Sequence, residues 1–378
     1  MTVHVLHLIN GEFYAGAERV QDLLAMRLPD FGFECGFACL KPKAFDANRR
    51  AKLVPLYDVQ MRSRFDASVV ARVAEVITRG GYEVLHTHTV RGGLIGRFAA
   101  RKAGVPMVHH IHSPARRETE QGLRNKINAF VEERVGLPAA VRVCTVSDSL
   151  RTYLIELGVP EAPIRVIPNG VPVLSDTADW KPPSGDWILG TVALFRPRKG
   201  LEVLLRALHQ IRQTRPDVRL LAVGGFETQD YEREMRQLAT ELGLDDAIEW
   251  TGFTREVGQQ LRRMNAFVLP SLFGEGLPMV MIEAMAAGLP VVASRVEGIP
   301  EVIGVGGAGI VVEPADVASL AAGLMRIVGG APEDVRRIAL AGHARQRDRY
   351  SDVAMARAMA GLYTEVLSGQ TRAVAAAF

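Results

Sequence analysis

The 378-residue sequence has few cysteines, few aromatic residues and no long apolar run. Its three cysteines are Cys35, Cys39 and Cys144, and no second Cys/His pair lies near the first two, so a zinc site there is disfavoured. No apolar run reaches the roughly 18 residues that span a bilayer, and the N-terminus reads directly as a strand without a basic and apolar signal peptide. We therefore expect a cytoplasmic protein whose cysteines are core thiols.

The net charge is only +3, but it is unevenly distributed along the chain. Residues 1–171 hold 23 Lys and Arg against 17 Asp and Glu, whereas the remainder holds 22 against 25. A basic N-terminal half suits contact with an anionic membrane or an anionic acceptor, and it equally suits solvated helix faces. Aromatic residues make up 6% of the chain and no nucleic-acid-binding motif is present, so a nucleic-acid partner is disfavoured.

Strand-like and helix-like segments alternate in both halves of the chain. This alternation predicts an α/β protein with parallel sheets covered by helices on both faces. The first unit is a strand over Val3–Ile9, a glycine-containing loop and a helix from Glu18, which is a Rossmann-like beginning. A proline-rich stretch at 172–186 predicts a linker between domains at 1–171 and 187–350, followed by a helical segment at 351–378.

One stretch, residues 266–288, combines a buried strand, a glycine-flanked acid and a helix start. The loop position of Glu275 predicts little core packing for its side chain, and Glu283 lies one turn into the helix. Free N–H groups at a helix start attract phosphates, and carboxylates accept hydrogen bonds from sugar hydroxyls. Together they predict a site for a phosphorylated, hydroxyl-rich ligand. The residues at the helix start are Leu277, Pro278, Met279 and Val280.

A cationic turn lies between a strand and a helix at residues 195–200. Arg196, Arg198 and Lys199 there could neutralise a diphosphate leaving group, whose charge develops in the transition state. A solvated basic turn is the alternative interpretation.

Histidines cluster where two strands are predicted to end, at His86, His88, His110 and His112. A metal site is disfavoured here, because neighbouring strand residues point to opposite faces and no carboxylate pattern accompanies the histidines.

Three segments, residues 164–171, 195–200 and 274–304, resemble the retaining glycosyltransferases of family four. The segments contain Ile-Pro-Asn-Gly-Val, a Lys-Gly turn and two glutamates separated by seven residues. The resemblance extends over almost the whole chain. It implies the GT-B fold, in which two Rossmann-like domains face each other across a cleft, and transfer of a glycosyl group from a nucleotide sugar with retention. It also implies that the helical segment at 351–378 crosses back to the N-terminal domain.

The resemblance also implies roles for individual residues. Glu275 would bind hydroxyls of the donor sugar, Glu283 would bind the ribose, and Lys199 with an arginine would stabilise the departing diphosphate. The family's usual arginine is absent, so Arg196 or Arg198 would replace it, and we prefer Arg196.

In the N-terminal half, the family's loop near the donor phosphates is matched by Gly16-Ala17-Glu18-Arg19, with Gly16 leaving room for the ligand. His112 would lie beside the reacting sugar, with His110 as the alternative if the strand register slips.

The implied partners are a UDP-, GDP- or ADP-linked sugar and a glycan, lipid-linked or small-molecule acceptor. No metal or other cofactor is expected, and peripheral contact with an anionic membrane is compatible with the charge distribution. Two alternatives stay open: a nucleotide-sugar epimerase or phosphorylase on the same scaffold, and a non-catalytic subunit that binds a nucleotide sugar.

Overall fold

The computed structural model describes residues 2–63, 66–113, 137–174 and 179–375. The chain forms two compact units, Met1–Gly170 together with Asp352–Phe378, and Val171–Ser351. The segment predicted as a linker contributes Trp180, whose side chain is buried in the core of the second unit. None of the helices in the described parts of the chain is long and apolar enough to cross a membrane.

The first unit is built on a seven-stranded sheet with the order β3-β2-β1-β4-β5-β6-β7. All of its paired strands are parallel. The strands are β1 (Val3–Ile9), β2 (Phe33–Cys39), β3 (Leu56–Asp58), β4 (Val84–His88), β5 (Met107–Ile111), β6 (Arg142–Thr145) and β7 (Ile164–Val166). The described helices are α1 (Gly16–Arg27), α2 (Ala44–Asn48), α3 (Ser68–Gly80), α4 (Thr89–Ala103), α5 (Asp148–Glu156) and, from the end of the chain, α13 (Asp352–Ala375).

Apolar residues at helical spacing attach the helices to this sheet. In α3, Val69, Val73 and Ile77 recur every four residues and are buried in the core, which is the pattern of an amphipathic helix. α13 belongs to this unit, and its Tyr363 side chain is fully buried. Asp352 at its start accepts a hydrogen bond from Arg27 Nε at 2.7 Å.

The second unit is built on a six-stranded parallel sheet with the order β10-β9-β8-β11-β12-β13. The strands are β8 (Trp187–Val192), β9 (Val218–Val223), β10 (Ile248–Gly252), β11 (Ala266–Leu269), β12 (Val291–Ser294) and β13 (Ile310–Val312). The helices are α6 (Leu201–Arg212), α7 (Gln229–Glu241), α8 (Val257–Leu261), α9 (Met279–Ala286), α10 (Ile299–Ile303), α11 (Val317–Val328) and α12 (Pro332–Arg349).

The strand order places β11 in the interior of this sheet, between β8 and β12. Its four residues are all buried, as expected for a parallel strand covered on both faces. The loops after β8, β11 and β12 leave from the same edge of the sheet, since parallel strands end together. Ligands bind at that edge in open α/β sheets.

Candidate active site

Two loops of the second unit are fixed to each other at the carboxyl edge of the sheet. The Leu272 N–H donates to the Arg198 carbonyl at 2.8 Å. Gly200 has φ +65°, and a Cβ atom there would lie 2.1 Å from the Pro270 carbonyl oxygen. Only glycine permits this backbone conformation together with this close approach. The glycine therefore allows the cationic turn and the Glu275 loop to form one site.

Glu275 is at the centre of this site and is only 6% exposed. Its carboxylate accepts a hydrogen bond from Ser271 Oγ at 2.6 Å and forms an ion pair with Lys199. Its own N–H donates to Glu297 Oε2 at 3.1 Å. The prediction that the Glu275 side chain has little packing is therefore wrong. The loop turns this carboxylate inward, where Lys199 and Ser271 compensate for its lost hydration.

Burial and charge shift the pKa of both groups of the pair. Burial raises the pKa of the Glu275 carboxyl, but the charge of Lys199 and the hydrogen bonds from Lys199 and Ser271 outweigh it, so the pKa lies below its usual value. Burial lowers the pKa of the Lys199 ammonium, and Glu275 opposes that decrease. The nearby guanidinium groups of Arg198 and Arg196 lower the Lys199 pKa further. The site is thus a concentration of positive charge around one buried carboxylate.

The two arginines of the cationic turn have different partners. Arg198 Nη1 donates to the carbonyl oxygens of Gly274 at 2.8 Å and Phe273 at 3.3 Å. Arg196 Nη1 lies 3.3 Å from the Glu227 carboxylate, which is itself 46% exposed. Arg198 therefore holds the loop that carries Glu275, whereas Arg196 forms a long, solvent-accessible ion pair.

The helix after the loop begins as the sequence predicts, with one difference. Pro278 is the residue before the first turn of α9 rather than a member of it, with φ −73° and ψ 110°. Leu277 and Met279 are buried beside it, and Val280 and Glu283 are half-buried. Because the first N–H groups of a helix have no intrahelical acceptor, they favour anions.

The first unit brings its histidines into a row. Residues two apart in a strand share a face, so His86 and His88 of β4 lie beside His110 and His112 at the end of β5. The rings of His88 and His112 are joined at 3.1 Å through Nδ1 and Nε2. The expectation that alternating strand residues place these histidines on opposite faces of the sheet is wrong for residues two apart. His109 does lie on the opposite face, where its ring is hydrogen-bonded to Thr87.

His112 is half-buried directly after β5. Burial, reinforced by His109, lowers its pKa to about 3. The imidazole is therefore neutral at pH 7 and can donate or accept a hydrogen bond. Gly16, also in the first unit, is the exposed first residue of α1, and a Cβ atom there would meet nothing within 4 Å.

Sequence reasoning missed Ser271 and Glu297 as members of the site around Glu275. Glu297 has φ +35°, a backbone conformation that side chains other than glycine rarely adopt. An available signal was its position just beyond β12, the strand next to β11, because both strands end at the same edge of the sheet.

Comparison with known proteins gives matches along most of the chain. The family described as "Glycosyltransferase Family 4" matches residues 14–173, and the family described as "Glycosyl transferases group 1" matches residues 175–342. A phosphatidyl-myo-inositol mannosyltransferase of Mycobacterium leprae is 31% identical over 314 residues, which cover 81% of this chain and 80% of the relative. An Escherichia coli UDP-Gal:alpha-D-GlcNAc-diphosphoundecaprenol alpha-1,3-galactosyltransferase is 25% identical, and the match covers 78% of this chain and 80% of the relative.

Solved structures share the fold over most of the chain. The Anabaena protein HepE in complex with UDP and glucose has a TM-score of 0.82 at 22% identity, covering 96% of this chain and all of the other. Sucrose-phosphate synthase from Thermosynechococcus elongatus has a TM-score of 0.80 at 24% identity and covers 97% and 100%.

Two parallel-sheet units, with charged loops at the carboxyl edge of the second sheet, have the GT-B fold. The prediction of the fold class is confirmed. The chain belongs to the group 1 glycosyltransferases, whose family patterns together extend from residue 14 to residue 342.

Proposed function

We propose that the protein transfers a sugar from a nucleotide-sugar donor to an acceptor hydroxyl with retention of configuration. The observation that carries this proposal is the buried Lys199–Glu275 pair with its Ser271 hydrogen bond, at the carboxyl edge of the second sheet. A fixed carboxylate beside cations suits a donor that combines sugar hydroxyls with a diphosphate.

The donor roles follow from charge and position. Glu275 binds hydroxyls of the donor sugar, and Glu283, one turn into α9, binds the ribose. Lys199 and the N–H groups at the start of α9 receive the diphosphate, whose charge increases as the glycosidic bond breaks. Arg196 supplies the second cation, because its ion pair with exposed Glu227 is easily exchanged for a phosphate. Arg198 maintains the loop.

In the first unit, we assign His112 to the reacting sugar and Gly16 to the loop beside the donor phosphates. A neutral His112 supplies a hydrogen bond rather than a positive charge. No side chain fills the space at Gly16, which leaves its backbone accessible to a phosphate.

The diphosphate is neutralised by side chains rather than by a metal ion in this proposal. Arg196 and Lys199 lie in one short turn with the guanidinium of Arg198 nearby, and together they supply the positive charge that Mg²⁺ provides elsewhere. Titration of Mg²⁺ or Mn²⁺ into the transfer reaction should change turnover less than two-fold. A strict requirement for either ion would contradict the assignment.

The acceptor class is supported by the names of the relatives, which act on phosphatidyl-myo-inositol and on a diphosphoundecaprenol-linked sugar. We therefore favour a lipid-linked acceptor, with glycans or small molecules as the other candidates. An exposed surface on α4 suits an anionic membrane, since Phe98 is 49% exposed beside three exposed cations. The cations are Arg97, Arg101 and Lys102.

The donor experiment has two stages. First, UDP, GDP, ADP and their sugars are compared by thermal shift, and one nucleoside diphosphate should raise the melting temperature most. Second, the matching nucleotide sugar is incubated with lipid and glycan acceptors, and NMR should show that the product keeps the anomeric configuration of the donor. Inversion would refute retention. Epimerised donor or sugar phosphate would favour the alternative enzymes, and binding without turnover would favour a binding subunit.

The membrane experiment compares anionic with neutral vesicles. Changing Arg97, Arg101 and Lys102 to Gln should weaken binding to anionic vesicles by roughly 100-fold, because each cation near the surface contributes about 1 kcal/mol. The control changes three exposed arginines of the second unit to Gln and removes the same charge. These are Arg255, Arg262 and Arg326. Equal losses in both variants, or no preference for anionic lipid, would exclude this surface.

A further inference from the structure

Three imidazoles meet in the interior of the first unit. His7 from β1 and His86 and His88 from β4 are all fully buried. These strands are neighbours in the sheet, and His7 pairs in register with His86. One ring nitrogen of each histidine lies within 4.8 Å of the other two. Strand geometry thus fixes three nitrogen ligands around one point.

Each of these rings is also held on its outer side. His86 Nδ1 is 2.6 Å from the Tyr363 hydroxyl, His88 Nδ1 is 3.1 Å from His112 Nε2, and His7 Nε2 is 3.7 Å from Cys35 Sγ. Histidines that bind metals are oriented in this way, by a partner on the nitrogen that does not touch the ion. The inner nitrogens are therefore His7 Nδ1, His88 Nε2 and His86 Nε2.

The inner nitrogens are not fully satisfied by one another. His7 Nδ1 and His88 Nε2 are 3.1 Å apart, whereas His86 Nε2 is buried with no hydrogen-bond partner among the described residues. An unsatisfied buried polar atom costs roughly 1–3 kcal/mol. Two imidazole nitrogens on one tetrahedral zinc ion lie about 3.3 Å apart, given bonds of about 2.0–2.1 Å. An ion would therefore satisfy all three nitrogens once their separations, which are within 4.8 Å, approach this distance.

We propose that His7, His86 and His88 bind a divalent first-row transition ion, such as Zn²⁺ or Co²⁺, with water in the fourth position. Imidazole nitrogen favours such ions over Mg²⁺ and Ca²⁺, which prefer oxygen ligands. The ligands of this ion belong to the first unit, whereas Arg196 and Lys199, which we assign to the diphosphate, belong to the second.

The ion has a consequence for His112. Coordination through His88 Nε2 places the His88 proton on Nδ1, which then donates to His112 Nε2. Because Nε2 of His112 accepts this hydrogen bond, the ring proton of His112 lies on Nδ1. The ion therefore makes His112 Nδ1 a hydrogen-bond donor. That this donor serves the reacting sugar rests on the proposed function, whereas the ion site does not.

Binding is tested on the full chain after chelation and removal of the chelator. Calorimetry with Zn²⁺ and visible absorption with Co²⁺ should give one ion per chain with micromolar or tighter affinity, and a raised melting temperature. His86→Asn and His88→Gln should lower the affinity by at least 100-fold. Tyr363→Phe, which loses only the outer hydrogen bond, should lower it 10- to 100-fold. His209→Asn in α6 is the matched control and should bind normally.

X-ray absorption of the zinc-loaded wild-type chain tests the ligands even where a variant fails to fold. Three imidazole nitrogens at about 2.0–2.1 Å are expected. No stoichiometric binding by the wild type, unchanged binding in the folded histidine variants, or a shell of oxygens only would overturn the site. None of these readouts uses transfer activity, so failure of the ion site and failure of the proposed reaction are distinguishable.

Discussion

Glu275→Gln separates the two contributions of the buried carboxylate, to stability and to transfer. The substitution keeps the shape of the side chain and one acceptor oxygen but removes its charge. Lys199, whose side chain is 15% exposed, then loses its buried counter-ion while Arg196 and Arg198 remain nearby. Removing one member of a buried pair costs roughly 3–5 kcal/mol. The remaining amide oxygen and the partial exposure of Lys199 reduce our expectation to about 2 kcal/mol.

The expected results follow in three measurements. The melting temperature of the second unit should fall by roughly 4–8 °C, given about 2–4 °C per kcal/mol for a unit of this size. Transfer should slow by about 30- to 1,000-fold, or roughly 2–4 kcal/mol, because the sugar loses a charged acceptor in the transition state. The thermal shift caused by nucleoside diphosphate should be larger than in the wild type, since the phosphates now neutralise the unpaired Lys199.

Two further variants make the reasoning refutable. Glu249→Gln removes an exposed carboxylate that is paired with Arg263, and it should change stability by less than 1 kcal/mol. The double variant Lys199→Met/Glu275→Gln should melt above Glu275→Gln alone, because no charge is left unpaired. Near-normal turnover in Glu275→Gln would remove this carboxylate from the site. An unchanged melting temperature would contradict the buried ion pair.

In thermal melts, Gly200→Ala should destabilise the second unit at least twice as much as the control Gly243→Ala. Both glycines have φ near +65°, a conformation that costs alanine roughly 1–2 kcal/mol, but of the two only Gly200 faces a neighbouring carbonyl. Equal losses of stability would contradict a clash with that carbonyl. Arg196→Gln should lower the rate of transfer about ten-fold with an unchanged melting temperature, whereas Arg198→Gln should lower both the rate and the melting temperature. The reverse pattern would show that Arg198 binds the diphosphate and Arg196 holds the loop. Because Glu275 has a folded-state pKa below the ordinary 4.5, its stabilisation is complete above that pH and is lost as the pH falls through the folded value. Acid unfolding curves should therefore be less steep below pH 4.5 in Glu275→Gln, and parallel curves would refute the shift.

The strands and the central loop were predictable because their signals are local. The apolar run over Ala266–Leu269 and the start of α9 follow from neighbouring residues. The α12 helix at Pro332–Arg349 was missed, since most of its residues are polar or charged and only a few positions are buried. Weak amphipathic patterns of this kind acquire their structure from tertiary packing.

The contacts within the site were less predictable, because they join distant parts of the chain. Lys199 and Glu275 are 76 residues apart, and sequence alone could not show that the loop turns the carboxylate inward. The row of histidines depends on the order of β1, β4 and β5 in the sheet, which alternation does not specify. The sequence pattern thus identified candidate residues, and the order of the strands in the sheet determines which of those side chains are in contact.

The first unit is discontinuous, and this has a consequence for synthesis on the ribosome. Residues 171–351 are contiguous, so the second unit can fold as soon as that stretch has emerged. The first unit cannot complete its core at that stage, because Tyr363 and Asp352 are translated after the whole second unit. Until then His86 lacks its hydroxyl partner and Arg27 lacks its carboxylate. A nascent chain would therefore complete the folding of the second unit before that of the first, although most of the first unit is synthesised earlier.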